Sequence, residues 1–181
     1  MILNLFNMEF SLERSLEILE RTPVVLQQLL GGLHEDWVRP NEGPETFSPY
    51  DVLGHLIHGE RTDWMARTRI ILDEGISRTF DPYDRFAQYR ESQGKSTAEL
   101  LEEFAGLRKQ GLKLLRSLQL EENDLDREGQ HPVLGKVTLR NLLATWVVHD
   151  LTHIAQITRV MAKQYKTAIG PWQEFFRILK F

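Results

Sequence analysis

Apolar residues return every three or four positions along four long stretches of the chain. Nowhere do they alternate with polar ones as a half-buried strand requires. In residues 10–33, Leu12, Leu16, Leu19, Leu26, Leu30 and Leu33 form one stripe, with Pro23 in the gap. Proline lacks an N–H and crowds the preceding turn, so this helix is expected to kink, or to restart with Thr22 as its cap. Ser48-Pro49 opens a second helix. Serine caps the free amides, proline suits the first turn, and Asp51 favours the positive helix end. This helix is expected to run to about Glu74 and stop at Gly75. A third helix begins at Ser96 or Thr97, with Leu100, Phe104, Leu107, Leu114 and Leu118 as its stripe and Gly111 in register. Thr138 opens the fourth, which ends before Gly170-Pro171.

The connections are long and polar. Asp81–Ser92 can hold a short helix, and 121–137 reads as a loop with a possible extended piece at Val133–Val137. The tail WQEFFRILKF reads as a short amphipathic helix that docks back. At 181 residues the chain has room for one ordinary domain, taken as 1–181. The expected fold is therefore all-α, a four-helix bundle with long connections.

Composition removes several chemistries. With no cysteine, the chain can hold neither a disulfide framework nor thiolate metal ligands, nor can it use a cysteine nucleophile. Lys plus Arg is 22 against 26 Asp plus Glu, a net charge of −4, which argues against a nucleic-acid partner. No run of eighteen apolar residues is present, so no membrane span is expected. The apolar N-terminus has no basic region ahead of it and carries Glu9 and Glu13, so it does not read as a signal peptide. The expected location is the cytoplasm.

The fourth helix carries an unusual stripe: Leu139, Leu142, Trp146, His149, His153, Gln156 or Ile157, and Val160. His149 and His153 are one turn apart and offset by about 40°, so both rings point the same way. A buried imidazole needs hydrogen-bond partners or a metal, and the spacing alone admits both readings. His55 in the second helix decides more. If that helix neighbours the fourth, His55 completes a three-imidazole set with positions open for water or substrate, the pattern of catalytic sites. His58 points about 60° away from His55 and can be a fourth ligand, a supporting donor or a surface residue. Glu60, about 140° from His55, reads as a solvated charge paired with Arg61 or Arg67. Asp63 reads either as a support of the site or as a plain surface charge; Asp150, directly after His149, faces elsewhere and reads as a surface residue or one half of an interhelix pair, a supporting carboxylate being expected rather from another helix. Gln156 reads either as a residue that orients a ligand or substrate or as an ordinary hydrogen-bonded core residue. His131 reads as a loop histidine capping backbone, His34 as a loop residue, and Trp64 and Trp146 as packing anchors. Arg140 or Arg159 could bind an anionic substrate, but nothing in the sequence selects them over the other basic residues.

The order of Ser-Pro, VLGHL…GE and a late HDLTH resembles the DinB-like (damage-inducible) superfamily of four-helix-bundle metal proteins. The resemblance spans nearly the whole chain: Thr22-Pro23, FSPYDVLGHLIHGE at 47–60, HPVLGKVTLRNLL at 131–143 and VVHDLTHIAQI at 147–157. It implies a divalent metal, usually zinc or nickel, held by one histidine of the second helix and two of the last, here His55, His149 and His153. Some relatives transfer or isomerise with a low-molecular-weight thiol such as bacillithiol, mycothiol or glutathione, and homodimers are common. The leading expectation is a metal-dependent thiol transferase or isomerase acting on a small-molecule substrate. The alternative is a non-enzymatic metal-binding module of stress response or interaction. Metal-dependent hydrolysis ranks third, because no HExxH is present and no carboxylate base stands out.

Overall fold

The computed structural model describes residues 8–180. The apolar start discussed as a signal candidate lies, over residues 1–7, outside the described residues.

Helix α1 (Leu12–Leu30) starts where Ser11 accepts from the Arg14 amide. Pro23 lies inside it, and the helix does not restart at Thr22. Instead Thr22 donates its hydroxyl back to the Ile18 carbonyl at 3.1 Å. Pro23 cannot serve the Leu19 carbonyl, and Arg108 Nη1 donates to that oxygen at 2.8 Å. A distant guanidinium thus supplies the donor that proline removes. Helix α2 (Glu35–Val38) is one turn, capped by His34.

Helix α3 (Pro49–Thr62) opens with a reciprocal cap between Ser48 and Asp51. The expected run to Glu74 is broken at Asp63, whose backbone (φ −109°, ψ −74°) leaves helical geometry. Helix α4 (Trp64–Asp73) follows, with consecutive Trp64 and Met65 both buried. Gly75 adopts φ +61° and ends it, as the sequence indicates. Helix α5 (Gln88–Glu91) falls inside the stretch expected to hold one.

Helix α6 (Thr97–Ser117) starts at Ser96 with a second reciprocal cap, to Glu99. Its buried face differs from the expected stripe. Leu100, Leu101, Phe104, Arg108, Leu112 and Leu115 are buried, whereas Leu107, Leu114 and Leu118 are only partly so. The face is rotated towards Arg108, which the leucine pattern passes over.

The loop expected at 121–137 is more ordered. It holds a helical turn, α7 (Glu122–Leu125), and an antiparallel hairpin of β1 (Glu128–His131) and β2 (Gly135–Thr138). The register pairs Glu128 with Thr138 and His131 with Gly135. Four-residue strands are too short to show a period, and Gly135 at φ +75° makes the turn. Gly129 lies against Ile71 and Phe80, where an added Cβ would meet both within 3 Å. The hairpin is therefore seated on α4 and the segment after it.

Helix α8 (Leu139–Lys163) is capped by Thr138 with Asn141. The tail forms two 3₁₀ turns, Gly170–Phe175 and Arg177–Leu179, rather than an α-helix. Leu179 is buried while Trp172 and Phe175 are exposed. No helix among the described residues is long and apolar enough to cross a membrane.

The long helices form a four-helix bundle. α1 packs against α6 and α8, and α3 packs against the same two. α1 and α3 therefore lie on one diagonal, and the long 31–48 connection spans it. The consequence for function is that α3 and α8, which carry the histidines singled out above, are neighbours.

Candidate metal centre

The cap at Ser48 sets the start of α3 and so places His55 nearly two turns in, with 7% of its surface exposed. Across from it, α8 presents His149 and His153. His149 Nε2 lies 3.1 Å from His55 Nε2 and 3.1 Å from His153 Nε2. All three rings offer a nitrogen within 4.8 Å of one another. The sequence reading placed these three residues together, and the structure does so. His58 stands apart: its Nδ1 is 3.2 Å from both oxygens of Glu91, and its ring packs on Tyr83.

The hydrogen bonds behind the rings fix what they aim forward. His153 Nδ1 is 2.9 Å from Gln156 Oε1, so it donates there and leaves Nε2 with its lone pair. The Tyr83 hydroxyl sits 3.3 Å from the His55 carbonyl and 3.2 Å from His55 Nδ1. Burial pushes that phenol up, so it keeps its proton, donates to the carbonyl and accepts from His55 Nδ1. His55 Nε2 is thereby left as a second lone pair. The Nδ1 of His149 is buried without a partner. His149 Nε2 can donate to one of its neighbours but not to both. A cation resolves the conflict, because all three lone pairs can then face it.

The spacing fits such an ion. Bonds of ~2.0–2.1 Å put two nitrogens about 3.3 Å apart in a tetrahedral shell and about 2.9 Å apart in an octahedral one. The observed 3.1 Å lies between them. Protonation also favours metal capture. Burial, then the charges of neighbouring His153, His58 and Arg85, lowers His55 to about 3. Burial and the adjacent His153 and His55 lower His149 to about 2, and burial lowers His153 as well. Near neutral pH each ring is uncharged and ready to ligate.

These shifts predict a pH effect on the metal-free protein. A ring that stays neutral in the fold but takes a proton when unfolded destabilises the fold once pH drops below about 6.5, by about 1.4 kcal/mol per pH unit. For His55 the loss grows from there down to about 3. Glu60 and Asp63, raised by burial, act in the opposite sense. Denaturant unfolding of the wild type and of His55→Gln/His149→Gln separates the two: between pH 7.5 and 5.5 the wild type should lose more stability. Equal losses would contradict the assigned shifts.

Behind the triad lies a cluster that sequence reading missed. Arg108, 1% exposed, donates to Glu60 Oε1 from Nε at 3.0 Å and Nη2 at 2.8 Å. It also donates to Asp150 Oδ2 at 2.6 Å and Oδ1 at 3.0 Å. Trp146 Nε1 completes the cluster on Glu60 at 3.1 Å. Glu60 is thus buried rather than solvated, and Arg61 and Arg67 pair elsewhere, Arg61 with Glu91 and Glu103, Arg67 with Asp63. Asp150 is the interhelix pair that was one of its readings. Burial pushes the Glu60 carboxyl up against the pull of Arg108. Burial alone would lower the Arg108 guanidinium, but Glu60 and Asp150 more than offset it, and it is raised.

The triad forms part of the wall of a cavity of about 450 Å³. Phe47, Trp64, Phe80, Leu134, Val137 and Leu142 give it an apolar lining. Asp63, Arg67, Tyr83, Arg85, His131 and Asn141 add polar groups. Asp63 is buried, and burial raises its carboxyl despite Arg67. His131 accepts the Val133 and Leu134 amides at 3.1 Å each, the backbone role expected of it, and also lines the cavity. Trp64 and Trp146 stack at 5.5 Å as anchors, and Trp64 meets the His149 ring edge-on. Arg140 and Arg159 are engaged with Glu122 and Asp126, and with Glu42, outside the cavity lining.

A family model described as the DinB superfamily matches residues 18–157. No curated protein matches the chain. Among solved structures, the chain is similar to YfiT from Bacillus subtilis, described as "a probable metal-dependent hydrolase with an unusual four-helix bundle topology". The two share 22% identity with a TM-score of 0.72, over 87% of this chain and 91% of that one, a likeness of fold.

Proposed function

The chain belongs to the DinB superfamily, and on that premise we propose that it is a metal-dependent enzyme that brings a low-molecular-weight thiol to a divalent cation, zinc or nickel, held by His55, His149 and His153. The observation that carries this reading is the meeting of three Nε2 atoms on the wall of a cavity with room for a small molecule. The ion supplies Lewis acidity, which lowers the pKa of a thiol or water that reaches it. The chain's own residues do the rest. Tyr83 and Gln156 hold two of the rings in the ligating tautomer. The apolar walls strip water from an entering substrate. Because the chain has no cysteine, the thiol is a small molecule.

A second reading, hydrolysis, is favoured by one specific observation. Asp63, a carboxylate raised by burial, lines the same cavity, so a base of the kind the sequence did not single out is present. YfiT's description is consistent with this reading.

Cobalt-substituted protein distinguishes the two. Titration with glutathione and bacillithiol should raise a thiolate-to-cobalt charge-transfer band, and the band should persist in Asp63→Asn. Absence of the band with every thiol overturns the thiol reading. Cleavage of ester or amide substrates that falls at least about 100-fold in Asp63→Asn would establish hydrolysis in its place.

A further inference from the structure

We propose that Arg85 docks an anionic group, a carboxylate, of the substrate, so that this cavity selects small molecules with an apolar body and a carboxylate. The proposal deepens the reading above and rests on it for the cation. Two guanidinium groups line the cavity. Arg67 is paired with Asp63. Arg85 has no carboxylate partner among the described residues, and the nearest acids in sequence are engaged: Asp84 with Arg90 at 2.6 Å, Asp81 with Arg78 at 3.4 Å. An arginine in that position keeps its full hydrogen-bonding fork for a ligand.

Two aromatic rings flank the Arg85 guanidinium. It lies 5.8 Å from the centre of the Phe47 ring and 5.7 Å from that of Phe86. Phe47 in turn packs against the His55 ring at 5.7 Å between centres. Phe47 therefore contacts both the Arg85 guanidinium and the His55 ring. Trp64, Phe80 and Leu142 add apolar walls to the same cavity. A neutral acceptor gains only an ordinary hydrogen bond from Arg85. A carboxylate gains a charge-assisted, bidentate contact at the rim while its apolar body fills the cavity. The local charge favours such a ligand even though the whole chain carries −4.

The test compares 3-phenylpropionate with its neutral amide, 3-phenylpropionamide, by calorimetry on the full chain, zinc-loaded and after removal of the ion. The wild type should bind the carboxylate about tenfold or more tightly than the amide. Arg85→Gln should lose most of that ratio in both states, and Arg85→Lys should keep part of it. Arg85 is exposed, so circular dichroism should show both variants folded. An unchanged ratio in Arg85→Gln, or no preference for the carboxylate in the wild type, overturns the proposal. A separate titration of the cobalt protein with 2-mercaptoethanol, which has no carboxylate, reports on the thiol reading alone. Its failure leaves the Arg85 ratio standing, and its success in Arg85→Gln shows that the metal centre is intact.

Discussion

His149→Ala is expected to weaken binding of zinc or nickel by well over about 100-fold while leaving the bundle helical, because loss of a supporting residue alone typically costs 10–100-fold. His149 is the middle ring: its Nε2 is the atom within 3.1 Å of both others. Without it, His55 and His153 remain as two ligands from different helices, too few to close a site of this kind. Gln156→Ala leaves all three ligands and removes only the acceptor that orients His153, so it should fall in the 10–100-fold range. The fold should survive in both. Contacts between α3 and α8 do not depend on the ring, since Leu53 and Ile157 belong to one buried cluster. Competition against a chromophoric chelator measures the affinities, and elemental analysis the content. Full metal content in purified His149→Ala would remove the three-histidine centre.

The three histidines are legible in the sequence because their geometry is local. His149 and His153 are separated by one helical turn, and the cap at Ser48 fixes where His55 falls on α3. What could not be read was which helices are neighbours and how much of each is covered. Glu60 shows the consequence. Its direction, well away from His55, points to solvent on the sequence alone, but α3 is packed by α5, α6 and α8, so nearly every residue from Pro49 to Gly59 is buried. The side of α3 away from the histidine triad faces α6, and Arg108 meets Glu60 there. Arg108 itself was hidden by a choice between two stripes on α6. Leu100, Phe104, Leu107, Leu114 and Leu118 make an adequate apolar line, yet Leu101, Phe104, Leu112 and Leu115 bracket Arg108 at steps of three and four. A charged residue in the middle of the second line counted against it, although that charge is the partner of two other buried ones. The hairpin and the break at Asp63 escaped for a different reason. Each involves a handful of residues, too few for a period to develop.

Arg108→Met should destabilise the protein by about 3–5 kcal/mol, the range for removing one partner of a buried ion pair. Methionine matches the shape of the arginine stem, so little of this comes from a cavity. The cost comes from what is left behind. Glu60 and Asp150 lose their common cation at 2% and 0% side-chain exposure, and the Leu19 carbonyl loses the donor that Pro23 cannot replace. That one guanidinium joins all four long helices, because Leu19 lies on α1, Glu60 on α3 and Asp150 on α8. Against a total stability of about 5–15 kcal/mol, typical of folded domains, the loss is a large share. The origin of the effect can be checked in the same experiment. Adding Glu60→Gln and Asp150→Asn to Arg108→Met removes the uncompensated charges but leaves the polar groups without their donor. Urea unfolding should therefore place this triple variant between Arg108→Met and the wild type. A loss below about 1 kcal/mol in Arg108→Met, the level of an exposed ion pair, would mean that the cluster contributes nothing to holding the helices together. If the triple variant is no better than Arg108→Met, the damage lies in the Leu19 carbonyl and the packing, not in the stranded carboxylates.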